Sequence, residues 1–358
     1  MSATGPPAAD ERMAAARSEQ PLLEARHIVQ EFAVREEGGS KGGVVQAVSD
    51  VSFEVREGET LSIVGETGSG KSTLARAIMA APKPISGEVL FRGVDLLKLG
   101  RKEMFETRRH LQMVFQDPFT SLDPKWKVFD IVEEPMVNYR LGGSAERRKR
   151  ASELLDLVGL DPSVFGKRRP RQLSGGQCQR VAIARALTLS PSLIVCDEVV
   201  SSLDVLIQAQ ILNLFEDLHS ELGLSYLFIA HDLALVRQVS DRVAVMHLGK
   251  IVELGAADQV YSRTFHPYTA ALLASIPEPD PDSATQRPTG LINGEPPSPI
   301  DPPSGCRFRT RCPRAQERCA AEEPLMRELE PDHATACHFP LRGGGEIDRG
   351  DLEVEAAG

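Results

Sequence analysis

The sequence predicts an α/β fold, a largely parallel sheet covered by helices on both faces. Three observations carry it. Short apolar runs, "TLSIVG" (60–65), "SLIVCD" (192–197) and "SYLFIAHD" (225–232), have the length and continuity of strands buried on both faces. Segments with helical spacing alternate with them, "KSTLARAIMAA" (71–81) and "DVLIQAQILNLFEDLHSEL" (204–222) among them. The glycine-rich "GETGSGKST" (65–73) joins the first of these strands to the first of these helices.

Taken in order, residues 1–20 are rich in Ala, Pro and charge and predict a disordered N-terminus. "LLEARHIVQEFAV" (22–34) and "VVQAVSDVSFEV" (44–55) alternate apolar and polar residues like half-buried strands, with "EEGGSKGG" (36–43) as an exposed loop between them. "AERRKRASELLDLVGL" (145–160) and "SGGQCQRVAIARALTL" (174–189) read as amphipathic helices. One large domain is expected over 21–278. Residues 279–304 are so rich in Pro that they predict an extended linker. A Cys-rich segment (305–340) and an acidic disordered tail (341–358) complete the chain.

With 358 residues, 41% apolar and 26% charged, the chain can bury a sizeable core. Its net charge of −10 gives no overall basic footprint for nucleic acid. "MSATGPPAADERMAAARSEQ" has no apolar stretch after a basic start, and nothing approaches the roughly 20 apolar residues of a membrane span. A cytosolic chain with reduced thiols is expected.

"GETGSGKST" has the G-x-x-x-x-G-K-[ST] pattern between a strand and a helix. Its residues are Gly65, Glu66, Thr67, Gly68, Ser69, Gly70, Lys71, Ser72 and Thr73. Glycines let backbone N–H groups curl around phosphate oxygens, and the helix N-terminus adds partial positive charge. Lys71 is placed to reach the β- and γ-phosphates, and the Ser72 hydroxyl to ligate Mg²⁺. "SLIVCDEVVSSLD" (192–204) ends a buried strand in Asp197, a Mg²⁺ ligand through water, and Glu198, which can polarise an attacking water. In "LSGGQCQR" (173–180), Ser174 caps a helix whose start Gly175 and Gly176 leave bare for a second phosphate, and Gln177 follows. Two anion sites in one chain suit a sandwich dimer, each chain's first site facing the partner's second.

Over about residues 22–276 these motifs resemble the ATPase subunits of ABC transporters. The resemblance implies a P-loop ABC ATPase fold: a RecA-like parallel sheet, an antiparallel β subdomain and a helical subdomain over about 117–180. It also implies ATP and Mg²⁺ as cofactors. Gln116 in "MVFQDP" would contact Mg²⁺ and the water, Asp204 in "SSLD" the dimer interface, His231 in "FIAHDL" the γ-phosphate, and Phe32 the adenine ring. Val199–Val200 replaces the family's commoner Pro-Thr, and Cys178 stands where a polar residue is common; neither removes a ligand. Cys178 and Cys196 read as small packing residues.

"MVFQDPFTSLDPKWKVFDIVEEP" (113–135), "HPYTAALLASIPEP" (266–279) and "GCRFRTRCP" (305–313) resemble the peptide/nickel importer subfamily, and its F-type subunit in particular. That implies a second, non-identical ATPase, two membrane permeases, an external binding protein and a place on the cytoplasmic face of the membrane. The cargo implied is di- or oligopeptides, with nickel or oligosaccharides as alternatives. Phe119, Leu122, Trp126 and Phe129 are expected to line a groove for a permease helix. The rival class is a soluble ABC ATPase of repair, chromosome structure or translation. It is disfavoured by the acidity, the single module and the lack of coiled-coil or C-x₂-C insertions.

Cys306, Cys312, Cys319 and Cys337 have C-x₅-C-x₆-C-x₁₇-C spacing. A reducing cytosol disfavours disulfides, and no short zinc clip is present, so spacing alone chooses no metal. Segments resembling this one hold a [4Fe–4S] cluster in some subfamily members, which implies a structural cluster here. Zinc and free thiols are the alternatives. The expectation leans on the segment having little core of its own, with Arg307, Arg309 and Arg311 either offsetting thiolate charge or simply solvated.

Overall fold

Continuous apolar strands need cover on both faces, and here they receive it. The computed structural model describes residues 20–34, 43–276, 295 and 297–341. The expected loop at 36–43 falls outside these residues apart from Gly43, as do nearly all of the N-terminal stretch, nearly all of the tail and most of the linker.

The chain starts with an antiparallel pair, β1 (Leu23–Ala33) and β2 (Val44–Val55). The alternation of β1 breaks at a bulge, where the register shifts between Ala25 and Ile28 and His27 takes a φ of 52°. β3 (Thr60–Val64), buried at all five residues, leads to α1 (Lys71–Ile78). β4 (Ser86–Phe91) and β5 (Val94–Asp95) complete a four-stranded antiparallel sheet of order β2-β1-β4-β5.

Next come α2 (Arg101–Thr107) and β6 (Leu111–Val114). A run of helices follows: α3 (Pro118–Ser121), α4 (Val128–Asn138), α5 (Ser144–Leu157), α6 (Pro162–Phe165) and α7 (Gly175–Leu187). Strands and helices then alternate through β7 (Leu193–Asp197), α8 (Val205–Leu222), β8 (Ser225–Ala230) and α9 (Leu233–Val236). β9 (Arg242–His247), β10 (Lys250–Ala256), α10 (Ala257–Ser262) and α11 (Pro267–Ala274) close the main body. The Cys-rich segment contributes α12 (Glu317–Ala321), β11 (Arg327–Glu330) and β12 (His333–Thr335).

The second sheet has eight strands in the order β11-β12-β10-β9-β3-β8-β7-β6. From β9 to β6 the pairings are parallel, and β10, β12 and β11 add antiparallel neighbours at one edge. One core lies between the two sheets and around α1; another joins α4, α5, α7 and α8 to β7 and β8. The amphipathic expectation for 174–189 needs correction. α7 is buried at Gly176, Cys178, Gln179, Val181, Ala182, Ile183, Ala184, Ala186 and Leu187, because helices and sheet surround it. Its small residues permit that close approach.

The Cys-rich segment draws on the core of the main body. β12 pairs with β10, so the segment extends the main sheet. Phe308 is fully buried in a cluster with Val245, Val252 and Tyr268, and Cys306 and Cys312 pack against it. Burying that ring contributes about 1.5–3 kcal/mol. The end of the Pro-rich stretch is likewise docked: Pro299 O accepts from Gln46 N of β2 at 3.0 Å.

Candidate functional site

The carboxyl ends of β3, β7 and β8 meet where strand order reverses, the usual ligand position in an open α/β sheet. Gly65 follows β3, Asp197 ends β7 and His231 follows β8. The loop after β3 turns through positive φ at Gly65 (156°), Gly68 (82°) and Gly70 (105°). Two of these glycines are needed for space as well. A Cβ on Gly65 would sit 2.1 Å from Met246 O, and one on Gly70 2.0 Å from Ala47 O.

Lys71 is only 3% exposed. Its ammonium donates to Gly65 O (2.8 Å) and Glu66 O (3.0 Å), with Glu198 Oε1 at 3.9 Å. Burial pulls its pKa down, and Glu198, Asp197 and Glu66 oppose that pull. Asp197, at the end of β7, is in hydrogen-bond reach of Ser72. Burial raises its pKa, against a hydrogen bond from Ser72 and the charge of Arg76. Asp197 Oδ1 is buried without a hydrogen-bond partner. A buried carboxylate oxygen with a spare lone pair, beside a serine hydroxyl, is a fitting donor set for Mg²⁺.

Glu198 takes a φ of 49°, and its N–H donates to Ile229 O at 3.0 Å. That bond fixes it two residues from His231, which is exposed. Gln116 Nε2 donates to Glu198 Oε2 at 2.8 Å and to Ser201 Oγ at 3.3 Å; Ser201 Oγ in turn donates to Glu198 O. Ser201 is a site residue that the sequence reading passes over. Phe32, 42% exposed, pairs with Val45 of β2, two residues from the Ala47 that touches Gly70.

Ser174 and Gln177 form a reciprocal cap on α7: Gln177 N donates to Ser174 Oγ and Ser174 N to Gln177 Oε1. Gly175 and Gly176 serve different ends. Gly176 is buried, and a Cβ there would meet Ile207 Cγ2 of α8 at 2.5 Å, so α8 packing demands glycine. Asp204 caps α8 by accepting from Ile207 N at 3.1 Å. Thus Lys71, Ser72, Gln116, Asp197 and Glu198 converge within the chain, while the Ser174 cap lies on the helical subdomain. Cys178 and Cys196 are buried with pKa values pushed up by burial, as packing residues are.

Cys306, Cys312, Cys319 and Cys337 line one small cavity with His266, Pro267 and Phe308. Burial pushes the Cys312 thiol up to about 11 and the Cys337 thiol to about 12. Among the described residues, however, no group of three or more His, Cys, Asp or Glu could hold a metal ion. The expected iron–sulfur cluster therefore finds no support in this arrangement. Arg311 and Arg307 are engaged elsewhere, which corrects the charge-offset expectation for them, while the charge of Arg309 does act on the Cys306 thiol and lowers its pKa against burial. Arg311 forms a bidentate pair with Glu66, Arg307 donates to Leu248 O and Gln46 Oε1, and Arg309 donates to Ser304 O. No helix among the described residues is long and apolar enough to cross a membrane.

A family model described as ABC transporter matches residues 48–201, and one described as the oligopeptide/dipeptide transporter C-terminal region matches 252–319. The oligopeptide transport ATP-binding protein OppF of Haemophilus influenzae is 46% identical over 91% of this chain and 99% of its own. The oligopeptide transport ATP-binding protein AppF of Bacillus subtilis is 46% identical over 90% of this chain and 99% of its own. A dimeric post-hydrolysis state of the ATP-binding cassette MJ0796, bound to ADP and Pi, superposes with a TM-score of 0.58 at 31% identity. It covers 66% of this chain and 98% of that one. A phosphate loop facing an Asp-Glu strand end, on this fold and with these relatives, places the chain among the ATP-binding subunits of the oligopeptide/dipeptide ABC transporters, ATPases that couple ATP hydrolysis to transport.

Proposed function

We propose that this chain powers the import of di- or oligopeptides from the cytoplasmic face of a membrane. In this reading it pairs with a second, non-identical ATPase beneath two permeases served by an external binding protein. The observation that carries it is the convergence of Lys71, Ser72, Gln116, Asp197 and Glu198 in a chain nearly half identical to OppF along its length.

The loop from Gly65 to Thr73 binds the ATP phosphates, and Phe32 stacks on the adenine. Ser72, Asp197 and Gln116 are the residues that would hold Mg²⁺, which would supply positive charge to neutralise the phosphates. Glu198 takes the proton of the attacking water, held in place by Gln116, and His231 donates to the γ-phosphate. Ser174, Gly175, Gly176 and Gln177 present the α7 N-terminus to a partner's nucleotide, with Asp204 at the shared interface.

Only part of the segment expected to meet the permease is free to do so. Leu122 is buried and Phe129 packs into the helical core, while Phe119 and Trp126 stay exposed. A groove of about 620 Å³ lies between sheet and helices, lined by Arg76, Phe105, Phe115, Tyr139 and Arg185 among others. Its aromatic walls, three arginines and Glu134 suit a short permease helix. A [4Fe–4S] cluster on Cys306, Cys312, Cys319 and Cys337 is the finer cofactor reading. It rests on the subfamily resemblance alone, since the four thiols line one cavity without grouping as a metal site. Iron and acid-labile sulfide analysis after anaerobic purification tests it, and metal-free protein with four titratable thiols rejects it.

Uptake of labelled dipeptides, oligopeptides, nickel and oligosaccharides in a strain lacking this gene tests the function. Loss of peptide uptake, restored by the parent gene and not by Glu198→Gln, is the expected result. Undiminished peptide uptake overturns it.

A further inference from the structure

The Cys-rich segment reaches the phosphate loop through one side chain. Arg311 Nη1 and Nη2 lie 2.7 and 2.9 Å from the two carboxylate oxygens of Glu66, the residue after Gly65. Arg311 is only 6% exposed, and the Glu66 side chain is 28% exposed. The contact joins residues 245 positions apart in the chain. Its surroundings fix it on both sides. Glu66 N donates to the Tyr268 hydroxyl at 2.9 Å, and the Tyr268 ring packs against Phe308, three residues before Arg311. Arg307, the residue before Phe308, is tied to Leu248 O and Gln46 Oε1, beside the Gly249 whose N–H donates to Ser69 O of the same loop.

Glu66 poses an electrostatic problem. Its carboxylate belongs to the loop that must accept a polyanionic triphosphate, and the second carboxylate wall, Asp197 and Glu198, lies nearby. Lys71 contacts the Glu66 carbonyl and not its carboxylate. That carboxylate is held by Arg311. A bidentate guanidinium–carboxylate pair that is mostly out of water is both strong and geometrically fixed.

We propose that Arg311 is a positioning residue for nucleotide binding: it neutralises and anchors Glu66, so that the Cys-rich segment sets the ATP affinity of the phosphate loop. The proposal rests on residues 65–73 being the phosphate site. It gives the segment a role in this chain's own ATP site, and makes displacement of residues 306–312, by any chemistry at the neighbouring thiols, a route to weaker ATP binding.

The test is nucleotide affinity of the full-length protein, read with a fluorescent ATP analogue and Mg²⁺. Removing the guanidinium bares the Glu66 charge, so Arg311→Gln is expected to weaken binding about five- to tenfold. The Glu66→Gln/Arg311→Gln double variant removes that charge too and should return to within about twofold of the parent. Arg311→Lys, which keeps the charge and loses the fork, should fall between. A purely packing role for Arg311 predicts instead that the double variant binds as weakly as Arg311→Gln. That result, or unchanged affinity in Arg311→Gln, overturns the proposal. Thermal midpoints without nucleotide accompany each measurement, and a double variant that recovers affinity at a midpoint as low as the single variant's still supports neutralisation. Lys71→Ala separates the two levels: if it binds nucleotide like the parent, the phosphate-site reading fails; if it loses binding while Arg311→Gln does not, only the Arg311 proposal fails.

Discussion

Gln116 Nε2 sits 2.8 Å from Glu198 Oε2, so a residue just past β6 holds the carboxylate just past β7. The two strands are parallel neighbours, paired from Leu111–Leu193 to Val114–Cys196. The contact is therefore built by sheet register: any residue two beyond Val114 faces the end of β7. Ser201 completes the hold by donating to Glu198 O and lying 3.3 Å from the Gln116 amide.

Glu198→Gln should keep ATP bound and lower turnover by about 10²–10⁴-fold, the range for losing a general base. Gln116→Ala should lower turnover less, because the carboxylate stays and only its orientation is lost. Steady-state ATP hydrolysis by the assembled transporter checks both. Parent-like turnover with Glu198→Gln removes the base assignment.

The catalytic core was legible in the sequence because it is local. Strand, glycine loop and helix lie in sequence from Thr60 to Ile78, and Asp197 and Glu198 sit on a five-residue buried strand. What escaped depends on distant partners. β12 has three residues and no apolar run, and it exists as a strand because β10 offers it an edge. Arg311 reads as a charge for thiolates until the fold brings Glu66 to it. "GCRFRTRCP" and "HPYTAALL" supply Arg311 and Tyr268 to the phosphate loop, with Phe308 packed behind Tyr268. Gly176 was read as a bare helix start; its need for α8 packing appears only when Ile207 is placed.

That placement separates the two signature glycines. A methyl on Gly176 would lie 2.5 Å from Ile207 Cγ2, whereas one on Gly175 would lie 3.2 Å from the Leu203 Cδ2 terminus. Gly176→Ala should destabilise the chain by about 1–3 kcal/mol through overpacking. Gly175→Ala should leave the thermal midpoint close to the parent's and act on ATP turnover in the dimer. Equal midpoints for the two variants contradict this division.

Glu253 clamps the Cys-rich segment to the body. Its carboxylate is 0% exposed and accepts from Phe265 N (2.7 Å), His266 N (3.0 Å) and His333 Nε2 (2.9 Å). Glu253→Ala strips two buried backbone N–H groups of their acceptor, at about 1–3 kcal/mol each. It also frees His333, on β12, from its acidic partner. Limited proteolysis should then cut within 305–341 faster than in the parent. Unchanged cleavage rates would show that β-pairing alone holds the segment.

Two buried histidines make the same junction acid-sensitive. His247 and His266 are pushed down to about 3, each mainly by burial; the charge of Arg311 adds to the effect on His247 and a hydrogen bond with the Arg307 backbone opposes it, while His247 adds to the effect on His266. His247 packs against Tyr268 and Phe308, and His266 Nδ1 accepts from Tyr268 N to cap α11. Both rings are neutral in the folded protein. The unfolded chain, with ordinary values near 6.5, takes up protons first as pH falls. Their contribution to stability is therefore complete above about pH 6.5 and is lost on the way down toward pH 3, by about 1.4 kcal/mol per pH unit for each ring. His247→Phe keeps the aromatic packing, and His266→Asn keeps a capping acceptor. The double variant should show a shallower fall in thermal midpoint between pH 6.5 and pH 4.5 than the parent. Carboxylates common to both proteins affect both curves alike, so the difference between the curves isolates the two rings. Parallel curves would assign the acid sensitivity elsewhere.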